Sequence, residues 1–101
     1  MWLMVLFDLP TLTPDERKAA CTFRNYLLDE GFQMAQFSVY LRCTPSKEAA
    51  SAYIRRIESA VPSQGKIDIL QFTDRQYENI ICFRGKFRES SPQNPTQLLL
   101  F

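Results

Sequence analysis

Met1-Trp2-Leu3-Met4-Val5-Leu6-Phe7-Asp8-Leu9-Pro10 opens the chain, and its reading decides the fold. An unbroken apolar run rich in Val, Leu, Trp and Phe predicts a strand buried on both faces. The run stops at one carboxylate, Asp8, and the chain then turns at Leu9-Pro10. A carboxylate at the C-terminal end of a central strand is where many α/β domains place metal or catalytic chemistry. A plain turn-forming Asp sits in the same place, because its side chain satisfies nearby backbone groups. The residues alone leave both readings open.

Outward from that strand, Thr13-Pro14-Asp15-Glu16 is a helix start. Thr13 caps, Pro14 suits the first helical position, and Glu16 completes a capping box. Ala20, Phe23 and Leu27, flanked by Ala19, Tyr26 and Glu30, trace an apolar stripe that ends at a C-capping Gly31. Phe32 to Cys43 reads as a bent strand or hairpin pair. In it Phe37, Val39 and Leu41 are expected to point inward, and Gln36, Ser38 and Tyr40 outward. Thr44-Pro45 repeats the helix-start chemistry, and Ala50, Tyr53, Ile57 and Val61 form a second stripe that stops at Pro62. Lys66 to Phe72 is a further strand, Thr73 to Asn79 a short helical turn or loop, and Ile80 to Phe83 one more short strand. The order is that of an α+β, ferredoxin-like βαββαβ sandwich with an additional C-terminal strand.

Composition narrows the function classes. A chain of 101 residues with 46 % hydrophobic residues is one domain with a real core. The net charge is only +1, so nucleic-acid binding would have to come from arranged basic residues and not from bulk charge. There is no histidine. Ser–His and Cys–His nucleophiles, histidine-based zinc hydrolase sites and histidine general bases are thereby removed, which leaves carboxylates, hydroxyls and hard metal ions for any chemistry. Cys21, Cys43 and Cys82 lie far apart with no metal-ligand spacing, and are expected as free, buried thiols in a reducing cytoplasm. The apolar start is too short to span a bilayer and has no charged stretch before it, so neither a signal peptide nor an anchor is expected.

The division falls at residues 1–83, the ferredoxin-like domain with its added strand, and 84–101, a basic and Pro-containing tail. Arg84, Lys86 and Arg88 begin the tail, Pro92 and Pro95 keep it extended, and Leu98-Leu99-Leu100-Phe101 ends it with an apolar segment suited to docking on a partner. Arg17 and Arg24, seven residues apart, share one face of the first helix near the end of Asp8's strand. Together with Lys86 and Arg88 they are the residues expected to contact phosphates without reading bases. Arg55 and Arg56 are equally well read as a solvated surface.

The chain resembles the small, universal adaptation subunit of CRISPR systems, the second of the two spacer-acquisition proteins. The residues that carry the likeness are Trp2 to Pro10, Arg17-Lys18 with Phe23-Arg24, Leu27 to Phe32, and Gln36 to Tyr40. The ending Gln97 to Phe101 looks like the variant from systems with a single large effector nuclease. The resemblance implies a cytoplasmic homodimer in which Asp8 faces its twin across a two-fold axis and shares a Mg2+ ion with it. It implies a metal-dependent endonuclease acting on single-stranded RNA or double-stranded DNA, with Ser38 lining the site. It also implies a scaffold that bridges two dimers of the CRISPR integrase subunit on spacer DNA, a role for which the nuclease is dispensable. The rival reading is a non-catalytic structural adaptor in which Asp8 serves the dimer interface alone.

Overall fold

The computed structural model describes residues 1–89. Its order is β1 (Trp2–Asp8), α1 (Pro14–Asp29), β2 (Gln33–Gln36), β3 (Val39–Cys43), α2 (Lys47–Ala60), β4 (Lys66–Phe72), α3 (Asp74–Glu78), β5 (Cys82–Arg84) and β6 (Phe87–Glu89). The first four strands form one sheet in the order β2-β3-β1-β4, with every neighbour antiparallel. This is the α+β, ferredoxin-like arrangement. The additional C-terminal strand is present as β5, and it pairs with β6 in a small sheet of its own.

Local chemistry sets the helix ends. Thr13 caps α1, and the Glu16 side chain accepts a bond from the cap backbone, closing the capping box. Leaving α1, Gly31 N–H bonds Leu28 O and Phe32 N–H bonds Leu27 O, the two bonds of a Schellman motif. α2 is capped by Ser46 and not by Thr44. Thr44 is instead buried, with its hydroxyl 2.7 Å from the Met1 carbonyl, where it ties β1 to the end of β3.

Only one face of the sheet is covered by the long helices. Leu3 and Val5 of β1 are fully buried there with Phe23 and Leu27 of α1 and Ala50 and Ile57 of α2. Phe7 joins them, edge-on to Phe23 at 5.3 Å. Trp2, Met4 and Leu6 alternate to the other face and are half-buried, so β1 is less enclosed than its apolar run suggests. The second face is covered in part by α3, whose Tyr77 stacks flat on Trp2 at 3.8 Å with the rings 4° from parallel.

The hairpin of β2 and β3 corrects the expected facing of its side chains. Its turn is Phe37-Ser38, and the register slips between Met34 and Gln36. The pairing with β1 sets the pattern instead: Tyr40, opposite Val5, is buried in the helix-side core, Val39, opposite Leu6, faces the other way, and Phe37, in the turn, is 91 % exposed. Leu41 is buried as expected, but outside that cluster. The cysteines also differ from expectation. None is disulfide-bonded, but Cys21 and Cys43 are exposed and Cys82 is half-buried, because Cys21 lies off the Phe23–Leu27 stripe and Cys43 ends its strand.

Candidate active site

Asp8 is the last residue of β1. Backbone alternation sends its side chain to the face that α1 and α2 leave open. There it lines an open pocket of about 370 Å3 with Leu6, Phe37, Ser38, Lys66 and Asp68 among its walls. The pairing of β1 with β4 places Asp8 directly opposite Lys66 and Leu6 directly opposite Asp68, so all four side chains emerge on one face. The Lys66 ammonium leans along its own strand to the Asp68 carboxylate at 3.4 Å. Asp8 is exposed, and among the described residues its carboxylate has no ion pair.

The pocket's backbone is held from two sides. The Ser38 carbonyl accepts from Phe7 N–H at 3.0 Å, which fixes the β2–β3 turn beside Asp8. Ser38 itself takes a positive φ of 62°, a left-handed conformation that costs a side-chain-bearing residue about 1–2 kcal/mol. On the other side Gly65 lies against the Asp8 carbonyl and Leu9.

Arg17 sits at the start of α1, and its Nη1 donates to the Thr11 and Leu12 carbonyls at 3.1 Å each. Through Nη1 it therefore braces the loop that leaves Asp8. Arg24 lies two turns further along α1 and is exposed, about 10 Å along the helix. Lys86 falls in the β5–β6 turn and Arg88 on β6, opposite Phe83. The structure thus brings Asp8 and Ser38 together and distributes the basic residues over other elements. Arg56 is engaged with Glu30 at 3.1 Å and lies over the Tyr53 ring, tying α2 to the end of α1. The Glu30 hydrogen bond raises the Arg56 pKa, while burial and then the Glu30 charge raise that of Tyr26. Leu98 to Phe101 lie outside the described residues.

Sequence reasoning missed three residues here: Phe37, Lys66 and Asp68. The i, i+2 spacing of Lys66 and Asp68 on a strand placed both on one face, but only the register with β1 sets them beside Asp8. Among the described residues no three His, Cys, Asp or Glu side chains are grouped to hold a metal. A single chain thus offers Asp8 as one hard oxygen donor beside a nearby Asp68. That donor set fits a hydrated divalent cation completed by water and phosphate oxygens, and does not fit zinc.

The profile of the family described as CRISPR associated protein Cas2 matches residues 1–80, which takes in every element from β1 to α3. The chain belongs to the Cas2 family. A protein of Paracidovorax avenae named CRISPR-associated endoribonuclease Cas2 is 52 % identical over 101 residues, covering 100 % of this chain and 94 % of the relative. A relative of the same name in Parvibaculum lavamentivorans is 46 % identical, with 100 % of both chains covered. Another in Streptococcus mutans is 40 % identical, covering 100 % of this chain and 92 % of the relative. The likeness to Cas2 proteins therefore runs through β5 and β6 to the end of the chain. No helix among the described residues of this Cas2-family chain is long and apolar enough to cross a membrane.

Proposed function

We propose that this Cas2-family chain is a homodimeric protein of CRISPR adaptation in the cytoplasm, with a divalent-cation-dependent endonuclease site at Asp8. The observation that carries the reading is the position of Asp8. It is an exposed carboxylate without an ion pair among the described residues, at the end of a central strand, in an open pocket on the face free of the long helices. That face continues into apolar surface. Met4 and Leu6 line a groove of about 320 Å3 with residues 80–84, and Phe83 and Phe87 of the hairpin beside it stand largely in solvent. A second copy packed here would cover that surface and bring a second Asp8 into play.

With two Asp8 carboxylates the donor count reaches what Mg2+ uses, one or two carboxylates plus water and phosphate oxygens. Bound there, the cation supplies positive charge against the phosphodiester. The chain's own residues do the rest. Asp8 fixes the cation's place, the Ser38 hydroxyl offers a hydrogen bond at the pocket wall, and the Phe37 ring stands free to stack on a base of single-stranded RNA. Ser38 has no histidine to activate it, so it positions and does not attack. Arg17, Arg24, Lys86 and Arg88, doubled in a dimer, suit the phosphates of double-stranded DNA. Bridging of integrase-subunit dimers on spacer DNA then falls to the body, and docking on that subunit or on the sister chain to Leu98, Leu99, Leu100 and Phe101.

The test is cleavage of labelled single-stranded RNA and double-stranded DNA in Mg2+ by the wild type and Asp8→Asn. Cleavage should fall to background in the variant, with melting temperature, dimerisation and duplex binding kept. Cutting at the wild-type rate by Asp8→Asn overturns the site. A second reading, the adaptor without catalysis, draws on the single close carboxylate that one chain provides. It predicts a dimer that binds duplex and the integrase subunit, and loses the latter on deletion of residues 98–101, yet never cuts.

A further inference from the structure

Lys66 stands directly opposite Asp8 in the β1–β4 register, where side chains on one face are about 5 Å apart at Cβ. A four-carbon stem ending in a mobile ammonium reaches a carboxylate in that position easily. The ion pair the register invites is nevertheless not made. Lys66 Nζ is turned to Asp68 at 3.4 Å, two residues along β4, and Asp8 stays without a cationic partner among the described residues. All three side chains line the same pocket.

We propose that Asp68 is a positioning residue that holds Lys66 away from Asp8 and so keeps the Asp8 carboxylate open to a divalent cation. The inference rests on the cation site proposed above and adds the device that keeps it from being filled by the chain's own lysine. Two carboxylates compete for one ammonium, and the intrastrand pair wins. Remove the Asp68 charge and Asp8 becomes the only carboxylate left among the described residues lining the pocket, so the ammonium moves into the place the cation would take. An edge-strand lysine also discourages pairing with another strand, but that role needs no Asp68 and predicts no change at Asp8.

Two measurements decide it. The first is a crystal structure of Asp68→Asn grown without divalent metal. Lys66 Nζ is expected within about 4 Å of an Asp8 carboxylate oxygen, the range of a charge pair. An Asp68→Asn protein in which Lys66 stays clear of Asp8 overturns the proposal. The second is Mn2+ affinity, read by the decrease of the free-ion paramagnetic resonance signal. Attraction between unit charges about 4 Å apart in water corresponds to roughly fivefold in a binding constant. Asp68→Asn should therefore bind Mn2+ about fivefold more weakly than the double variant Lys66→Met/Asp68→Asn, in which the competitor is gone. Equal affinity in those two proteins, each binding Mn2+ at Asp8, also overturns the proposal. Failure of the cation site shows differently: Asp8→Asn would then leave Mn2+ binding unchanged, while the metal-free crystal structure still reports whether Asp68 restrains Lys66.

Discussion

Replacing Gly65 by alanine strikes the candidate site from behind. Gly65 has φ +96°, and a Cβ built there would lie 2.6 Å from Leu9 Cδ2, 2.8 Å from the Asp8 carbonyl oxygen and 3.1 Å from Leu9 Cα. The first neighbour is a flexible methyl and can swing aside. The other two are backbone at and just past the end of β1, whose seven positions are paired to β4, and cannot move without shifting Asp8. The left-handed backbone alone costs an L-residue about 1–2 kcal/mol, and forcing an extra carbon into packed surroundings adds about 1–3 kcal/mol. About 3 kcal/mol at ~4–8 °C per kcal/mol for a domain of this size lowers the melting temperature by about 12–24 °C. Gly85→Ala is the matched control: φ is +63°, but no described atom lies within 4 Å of the added carbon. It carries only the backbone cost, roughly 1 kcal/mol, or about 4–8 °C. Thermal denaturation by circular dichroism measures both. The reasoning fails if Gly65→Ala melts no lower than Gly85→Ala, because the packing behind Asp8 would then exert no resistance.

Arg17→Ala removes two hydrogen bonds from the loop after Asp8 and is expected to lower stability by about 1–2 kcal/mol as well as weaken duplex binding. Arg17→Lys, whose ammonium can also donate to both carbonyls, should recover binding and part of the lost stability. Arg24→Ala, Lys86→Ala and Arg88→Ala should leave the melting temperature within about 2 °C and flatten the slope of log K against log salt by about 0.9 for each phosphate no longer neutralised; an unchanged slope removes that residue from the nucleic-acid surface. Phe37→Ser is expected to leave folding intact and weaken single-stranded RNA binding by about 1–3 kcal/mol, the worth of one stacked base, as read by fluorescence anisotropy. Unchanged RNA affinity in Phe37→Ser would leave that ring without a ligand role.

Legibility in the sequence followed the range of the interactions. The start of α1 was readable to the residue, because the capping box joins Thr13 and Glu16, three positions apart. The end of α1 at Gly31 was readable for the same reason. At α2 the same logic pointed to Thr44, whereas Ser46 caps; Thr44 is drawn away by the Met1 carbonyl at the far end of the chain, a partner that local pattern does not reveal. The inward and outward sides of β3 were lost for a different reason. The facing of β3 is fixed by its pairing with β1, which sets Tyr40 beside Val5 on the helix side, and nothing in the alternation of Phe37, Ser38, Val39 and Tyr40 marks that phase. Asp8 was singled out by its place at the end of an apolar run. Its neighbours Lys66 and Asp68 were not, since they lie far along the chain and meet it only through strand register.

The flat stack of Trp2 on Tyr77 has an optical consequence. Trp2 is the chain's one tryptophan, and its ring at 3.8 Å from Tyr77 ties the whole indole emission to whether α3 lies closed on the second face of the sheet. That is the face on which a second copy is proposed to settle. Without any label, emission intensity therefore reports α3 docking together with whatever else settles on Trp2's face of the sheet. Dilution through the dimer transition should change the signal if the partner covers Trp2 or helps press α3 down. Urea should release it before the far-ultraviolet signal of α1 and α2 is lost, because a five-residue helix on a half-covered face has few buried neighbours to hold it.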